Sequence, residues 1–248
     1  MGNIFFGCFG DLFPKPAHST DNTHETGAKV DSLNDGVDAA VDITPRSCFG
    51  AGCYWGTEKY LKHDFAKKCV VSGSLTRGEV GFMGPKSSKR NPSYEDVCSG
   101  VTGHVEVFDC DFTGGAPYYE AMVRFFFQFH DPTTTNKQGN DSGTQYASVI
   151  YCYDKEQLRI ATKVKNDLQK LLTSKKLTCF QNSDVTTDIR MVESEFFPAL
   201  DAHQDYLTKN PRVRMASFLS YYLIIFGVVV FLFPPLPPPT HTHTFPNG

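Results

Sequence analysis

The segment 50–56 constrains the fold of this chain most, because it places one cysteine between glycines and directly before two aromatic residues. Glycine adopts the backbone conformations that a tight turn requires. An amphipathic run follows, in which Tyr54, Leu61 and Phe65 fall near one helical face. The pattern predicts a strand that ends here, a turn, and a helix that begins next to Cys53.

Cys53 would then stand at the N-terminus of a helix, where exposed backbone amides and the helix dipole favour a thiolate over a thiol. The thiolate is the nucleophilic form of cysteine, and the glycines leave room for a substrate against the sulfur. The alternative is a buried cysteine in a well-packed turn, which is the commoner situation for a single cysteine. The residues of this segment alone leave both interpretations open.

The composition limits the classes of function. The chain has 248 residues, 40% hydrophobic and 21% charged, which is enough for one generous globular domain or two small ones. A net charge of -3 without a basic stripe argues against a nucleic-acid partner. The cysteines have irregular spacings and form no CxxC pairs. We therefore expect mostly free thiols in a reducing compartment, the cytoplasm, and no structural zinc.

The sequence divides into three regions. Residues 1–45 become polar after the first few positions and are predicted to be a disordered leader. Residues 46–211 are predicted to form one domain. The tail, 212–248, is apolar and rich in proline, and its segment 215–233 would span roughly 28 Å as a helix, close to the bilayer core of about 30 Å. This segment is a candidate membrane anchor; packing onto the domain and an atypical coding end are the alternatives.

Hydrophobic periodicity predicts alternating strands and helices across the domain. Strands are predicted at 47–51, 70–82 with a bulge at Gly73, 104–112, 146–153 and 188–192. Helices are predicted at 54–66, 117–129, after Asp154, and at 193–207. Asp154 and Gln157 have the spacing of a capping box. This order implies an antiparallel or mixed sheet with helices packed on it, an α/β (α+β) fold.

The motif Gly-Cys-Tyr-Trp-Gly at 52–56 resembles the Gly-Cys-Phe-Trp-Gly signature of the A-type peptide methionine sulfoxide reductases. Further stretches resemble the same family in the same order, at 91–100, 102–106, 130–133, 138–146 and 203–207. The resemblance covers about 46–211 and implies a two-layer sandwich of ferredoxin-like plan. One departure is local, because Tyr54 stands where Phe is usual and adds a hydroxyl.

The resemblance implies an enzyme that reduces the S epimer of methionine sulfoxide, in oxidised proteins and as the free amino acid, through a cysteine sulfenic acid. It implies no bound cofactor, and a thiol reductant such as thioredoxin or a glutaredoxin-like protein for turnover. We expect a monomer. Two other functions remain open at this point: a different thiol-dependent enzyme of the peroxidase type, and a membrane-tethered module that binds methionine sulfoxide without turnover.

The resemblance assigns Cys53 as the nucleophile and Glu106 as the acid that protonates the sulfoxide oxygen. Strand alternation places Glu106 on the same side as Phe108, Cys110 and Phe112, where burial favours a neutral carboxyl. The alternative from the residues alone is a solvent-facing glutamate at the start of a strand. The match at 103–106 favours the acid.

Five further residues are expected to line the site. The family match implies that Tyr94 and Tyr146 donate hydrogen bonds to the polarised oxygen and that Asp141 contacts the substrate backbone. Tyr54 and Trp55 are candidate walls of a pocket for the methyl group, with two core aromatics as the alternative. No metal ligands are expected, and histidines such as His203 are expected to have structural roles.

The route by which the sulfenic acid is reduced is open. In the family, a resolving cysteine often follows a Lys-Asn-Pro-like segment near the C-terminus. Here Lys-Asn-Pro occurs at 209–211, and no cysteine follows it. Cys48, Cys98 and Cys179 are the candidate replacements, and direct attack by a small thiol or by the reductant is the alternative.

Overall fold

The computed structural model describes residues 43–211, with the exception of 70 and 89. The predicted leader up to residue 42, the tail 212–248 and the candidate anchor within it lie outside the described residues. Within the described range, no helix is both long and apolar enough to cross a membrane.

Strands and helices alternate along the domain, as the periodicity predicts. The strands are β1 (Arg46–Ala51), β2 (Leu75–Met83), β3 (Val105–Phe112), β4 (Lys137–Gln138), β5 (Asp141–Ser142), β6 (Ser148–Cys152), β7 (Asp188–Met191) and β8 (Phe197–Pro198). The helices are α1 (Tyr54–Glu58, continued by the π-helical Lys59–Phe65 and by Ala66–Lys68), α2 (Tyr94–Cys98), α3 (Gly115–Phe129), α4 (Lys155–Thr173) and α5 (Tyr206–Lys209). Short 3-10 turns occur at Thr144–Tyr146 and Asp201–His203.

Six strands form one mixed sheet in the order β7-β6-β1-β3-β2-β8. The central four, β6-β1-β3-β2, are antiparallel, and α1 and α3 make the two crossovers between them. This is the ferredoxin-like arrangement that the resemblance implies. Strand β7 adds a parallel edge beside β6, and β8 adds an antiparallel edge beside β2. The predicted α/β sandwich with a mixed sheet is therefore confirmed.

The two faces of the sheet bury different side chains. On the face covered by α1, α3 and α4, the main core includes Phe49, Phe108 and Leu168. The opposite face carries a smaller buried cluster that includes Val107 and Tyr151. The predicted alternation along β3 is confirmed, because Phe108, Cys110 and Phe112 all lie in the main core whereas Val105 and Val107 lie in the smaller one.

Several element boundaries differ from the predictions. Strand β2 begins at Leu75, and its register shift lies between Leu75 and Arg77, not at Gly73. Tyr146 lies in a 3-10 turn before β6, so the predicted strand starts later. Asp154 caps α4 as predicted by accepting the Gln157 N–H at 2.8 Å, but the Gln157 side chain accepts the backbone N–H of Tyr153.

The predicted helix at 193–207 is wrong. This stretch forms the edge strand β8, a 3-10 turn and the start of the short helix α5. The pairing of Phe197 with Phe82 extends the sheet, and Pro198 disfavours helical backbone at the residue before it. Tertiary pairing therefore overrides a helical periodicity that is locally plausible.

Candidate active site

The turn between β1 and α1 places Cys53 directly before the first helical residue. Gly52 has φ +80, and a Cβ added there would lie 2.6 Å from Cβ of Gln138, so only glycine fits. Cys53 has the non-helical angles φ -55 and ψ 125 and is partly buried. The predicted strand, turn and helix around this cysteine are confirmed.

Glu106 lies in β3 beside Cys53 and is only 2% exposed. Its Oε2 accepts the backbone N–H of Tyr54 at 3.1 Å, and its carboxyl also hydrogen-bonds the Cys53 side chain. Burial raises the pKa of Glu106 to about 7, and the negative charge of Asp141 acts in the same direction. The two hydrogen bonds oppose this rise but do not cancel it. A carboxyl with this pKa can hold or release a proton near neutral pH.

The pKa of the Cys53 thiol is raised well above its usual value, first by burial and then by the negative charge of Glu106. The backbone N–H groups of Trp55 and Gly56 hydrogen-bond the sulfur and lower the pKa, as expected at the start of a helix. The helix start therefore favours the thiolate as expected, but burial outweighs the amides and the net pKa is raised. A nearby base must therefore accept the thiol proton.

Asp141 contacts Cys53 through the Cys53 backbone. It lies in the short hairpin of β4 and β5, and its carboxylate accepts the backbone N–H of Cys53. Burial raises the pKa of Asp141, and this hydrogen bond opposes the rise. The hairpin therefore holds the turn that carries Cys53, in addition to lining the site.

The two tyrosines approach the same group of residues from different elements. Tyr94 begins α2, whose N-terminus has a capping box between Ser93 and Asp96, and its phenol hydrogen-bonds the Cys98 side chain. Tyr146 lies in the 3-10 turn before β6 and is within electrostatic range of Glu106 and Asp141. Burial raises the pKa of both phenols first, and neighbouring acidic groups add to the rise. Both therefore remain protonated hydrogen-bond donors.

The chain is similar to known proteins over most of this domain. Residues 46–221 match the family described as "Peptide methionine sulfoxide reductase". The chain belongs to this family. The peptide methionine sulfoxide reductase MsrA of Nautilia profundicola is 37% identical over 67% of this chain and 84% of its own length. Peptide methionine sulfoxide reductase A4, chloroplastic, of Arabidopsis thaliana is 40% identical over 82% of this chain and 75% of its own length.

Solved structures of this reductase family have the same fold. The reduced form of Mxr1 from Saccharomyces cerevisiae is 30% identical, with a TM-score of 0.55, over 67% of this chain and 85% of that chain. Methionine sulfoxide reductase A of Corynebacterium diphtheriae is 31% identical, with a TM-score of 0.54, over 67% of this chain and 75% of that chain.

The aromatic residues after Cys53 have different environments in this reductase. Tyr54 is 1% exposed, and its hydroxyl lies 2.6 Å from Nδ1 of His203. Trp55 is half-buried and stacks on Tyr206, with ring centroids 3.8 Å apart and an interplanar angle of 11°. Sequence reasoning assigned no role to Tyr206, although it lies in the matching stretch 203–207. Trp55 and Tyr206 therefore form one stacked aromatic pair, whereas Tyr54 is buried in the main core.

The candidate resolving cysteines of the reductase lie in three different places. Cys48 is fully buried in the cluster on the opposite face of the sheet. Cys179 lies in the connection between α4 and β7 and packs against the main core. Cys98 ends α2, hydrogen-bonds Tyr94 and is within electrostatic range of Glu106. Of the three, Cys98 is the one that the structure brings to the group around Cys53.

Among the described residues, no group of three or more His, Cys, Asp or Glu side chains is arranged to hold a metal ion.

Proposed function

We propose that this family member reduces methionine sulfoxide to methionine with Cys53 as the nucleophile and Glu106 as the acid. The activity itself is that of the family to which the chain belongs. The observation that supports the roles is the hydrogen bond between the Cys53 side chain and a buried carboxyl whose pKa is raised to about 7. Of the site groups described above, these two are a sulfur nucleophile and an acid in direct contact.

The step balances as follows. The thiol proton of Cys53 passes to Glu106, because the pair shares one proton in its reactive form. The thiolate then attacks the sulfoxide sulfur and forms a transient S–S bond, while Glu106 supplies the proton to the oxygen. The protonated oxygen passes to the Cys53 sulfur, so that an S–O bond forms on Cys53 while the S–O bond of the substrate and the transient S–S bond break. The products are methionine and the sulfenic acid of Cys53, so the substrate sulfur is reduced by two electrons and the cysteine is oxidised by two.

Tyr94 and Tyr146 are proposed to donate hydrogen bonds to the sulfoxide oxygen as its negative charge increases. Two protonated phenols in a partly dehydrated site stabilise that charge without a change in their own protonation. Asp141 is proposed to orient the substrate backbone while it holds the Cys53 turn. Trp55 and Tyr206 are proposed to contact the methyl group. We propose selectivity for the S epimer from the family resemblance alone.

For turnover, we propose that Cys98 resolves the sulfenic acid. The Cys98 thiol attacks the sulfur of the Cys53 sulfenic acid, which forms a disulfide and releases water. A dithiol protein of the thioredoxin or glutaredoxin type then reduces the disulfide. The support is the contact of Cys98 with Tyr94, which is itself within electrostatic range of Cys53. Direct reduction of the sulfenic acid by a small thiol is the alternative.

A single-turnover assay tests the assignment of function. The full-length chain, fully reduced and without added reductant, should convert about one equivalent of a peptide methionine S-sulfoxide, and of free methionine S-sulfoxide, and leave the R epimer intact. A binding module would retain the sulfoxide unchanged, and a peroxidase-type enzyme would consume hydrogen peroxide in preference. Either result would overturn the proposal.

The cellular setting is also a proposal. We propose a monomer that acts on oxidised proteins in the cytoplasm, where thiols stay reduced, and that is held at a membrane by the segment 215–233. Carbonate washing of a membrane fraction tests the anchor, since full-length chain should stay in the pellet and a chain that ends at residue 211 should not. Recovery of both forms in the supernatant would end the idea of an anchor.

A further inference from the structure

The orientation of the Trp55 ring depends on its ring contacts. Its indole nitrogen is buried and has no hydrogen-bond partner among the described residues. The ring stacks on Tyr206, and the ring of His203 lies 5.6 Å away between centroids. A side chain that is held by packing alone can rotate when one packing neighbour moves. The orientation of the indole therefore depends on Tyr206, on His203 and on the Tyr54 ring, whose centroid lies 6.1 Å away.

His203 in turn makes a hydrogen bond to Tyr54. His203 is 7% exposed, and its Nδ1 lies 2.6 Å from the Tyr54 hydroxyl. Burial strongly raises the pKa of Tyr54, so its phenol stays protonated and can donate to or accept from the imidazole. The hydrogen bond holds the imidazole ring in the plane in which Nδ1 faces the Tyr54 hydroxyl.

The same imidazole also meets one of the proposed oxygen donors. The rings of His203 and Tyr94 are 4.8 Å apart at an angle of 68°, an edge-to-face contact. His203 therefore lies between Trp55, on the side of the methyl group, and Tyr94, on the side of the oxygen. A change in the orientation of the His203 ring would therefore alter its contacts with both Trp55 and Tyr94.

We propose that Tyr54 and His203 form a positioning pair that holds Trp55 and Tyr94 in the arrangement that binds the sulfoxide. This inference rests on the proposed function. Neither residue of the pair needs to touch the substrate, since Tyr54 is nearly fully buried and acts through the imidazole. The pair depends on the Tyr54 hydroxyl. This is the group that Tyr54 adds to the family signature, in which Phe is usual.

The segment that carries His203 has other anchors, so loss of the pair does not release it. The Glu58 carboxylate accepts the backbone N–H of Asp205 at 2.9 Å. The Gln204 side chain accepts the Val80 N–H at 2.8 Å and donates to the Val80 carbonyl at 2.9 Å. Removal of the Tyr54 hydroxyl should therefore change the orientation of the His203 ring and leave the backbone that carries His203 in place.

The variant Tyr54→Phe tests the pair in the full-length chain, because it keeps the ring and removes the hydroxyl. We expect the sulfoxide concentration that gives half of the maximal single-turnover rate to rise about 3- to 10-fold, the scale of one lost hydrogen bond, while the maximal rate falls less than about 3-fold. Trp55 is the chain's one tryptophan, so its fluorescence reports the wall directly. Its quenching by acrylamide should increase in Tyr54→Phe.

Tyr151→Phe is the matched control, because it removes another buried hydroxyl, which donates to the Met83 carbonyl at 3.1 Å on the opposite face of the sheet. It should leave half-saturation and quenching unchanged. The double variant of Tyr54→Phe with His203→Phe should show no greater shift than the larger single variant, since both remove the same bond.

Three results would overturn the proposed positioning role of the pair. They are an unchanged half-saturating concentration and unchanged quenching in Tyr54→Phe, equal changes in Tyr151→Phe, and additive effects in the double variant. Failure of the wild-type chain to reduce any sulfoxide would instead overturn the proposed function, and the quenching comparison would still test the pair.

Discussion

The backbone N–H of Tyr54 donates to the Glu106 carboxylate at 3.1 Å, across 52 positions of sequence. This hydrogen bond joins Tyr54, the first residue of α1, to Glu106 near the start of β3. It holds the carboxyl beside the sulfur of the preceding residue, Cys53, with which Glu106 also hydrogen-bonds. The proposed nucleophile and the proposed acid are therefore held together by a backbone hydrogen bond and by a hydrogen bond between their own side chains.

Replacement of the nucleophile is the first prediction. Cys53→Ser should abolish sulfoxide reduction, because a hydroxyl is a far weaker nucleophile toward sulfur near neutral pH. Cys69→Ser and Cys152→Ser should retain the reaction. Cys69 hydrogen-bonds the Val71 carbonyl near the end of α1, and Cys152 is buried in β6. The measurement is methionine formed per protein in one turnover, and appreciable product from Cys53→Ser would contradict the assignment.

Glu106→Gln should slow the single-turnover step by about 10²-fold or more, the usual scale for the loss of an acid catalyst. The amide keeps the shape of the side chain and can still accept the Tyr54 N–H, but it supplies no proton. Circular dichroism should show an unchanged fold. A wild-type rate in this variant at neutral pH would assign Glu106 to structure alone.

The raised pKa of Glu106 predicts a pH dependence of stability. In the folded protein the carboxyl keeps its proton up to about pH 7, whereas in the unfolded chain it loses it near the ordinary value of 4.5. The folded state therefore binds more protons between these values, and this contribution to the free energy of unfolding decreases as pH rises through that window. As pH rises through the window, the free energy of unfolding of the wild type should fall by on the order of 3 kcal/mol relative to that of Glu106→Gln.

Denaturant titrations at several pH values between 4 and 8 measure this shift. The difference between their free energies of unfolding should have one constant value below the window and another constant value above it. Parallel stability curves for wild type and Glu106→Gln across the whole range would show that Glu106 ionises normally in the folded protein.

Cys98→Ser should slow the regeneration of reduced Cys53 more than it slows the reduction of the sulfoxide. We expect turnover with a thioredoxin-type dithiol protein to fall about 10-fold or more, because the disulfide that such a reductant recognises no longer forms. Turnover with dithiothreitol should persist, since a small thiol reduces the sulfenic acid directly. Peptide mapping of the wild type after one turnover should find Cys53 linked to Cys98.

Cys179→Ser is the control for this prediction, because Cys179 is partly buried like Cys98 but lies in the connection after α4. It should recycle as the wild type does. A disulfide between Cys53 and Cys179, or full turnover of Cys98→Ser with the dithiol protein, would exclude Cys98 as the resolving residue.

Local sequence was sufficient for the features that depend on neighbouring residues. The glycines around Cys53 predict the strand, turn and helix that the structure contains, because backbone freedom is a property of each residue. Alternation along β3 predicts that Phe108 lies in the main core, because successive side chains of a strand point to opposite faces. The ordered matches along the chain were enough to indicate the family.

Tertiary structure decided the features that depend on which distant segments meet. The pKa of Cys53 is raised and not lowered, because burial is a sum over all neighbours and outweighs the local helix start. The Tyr54 hydroxyl meets His203 across 149 positions of sequence, a contact for which no local pattern exists. Likewise, Phe197 and Pro198, inside the stretch predicted as a helix, form the strand β8, because the edge of β2 offers backbone hydrogen bonds that only the assembled sheet provides.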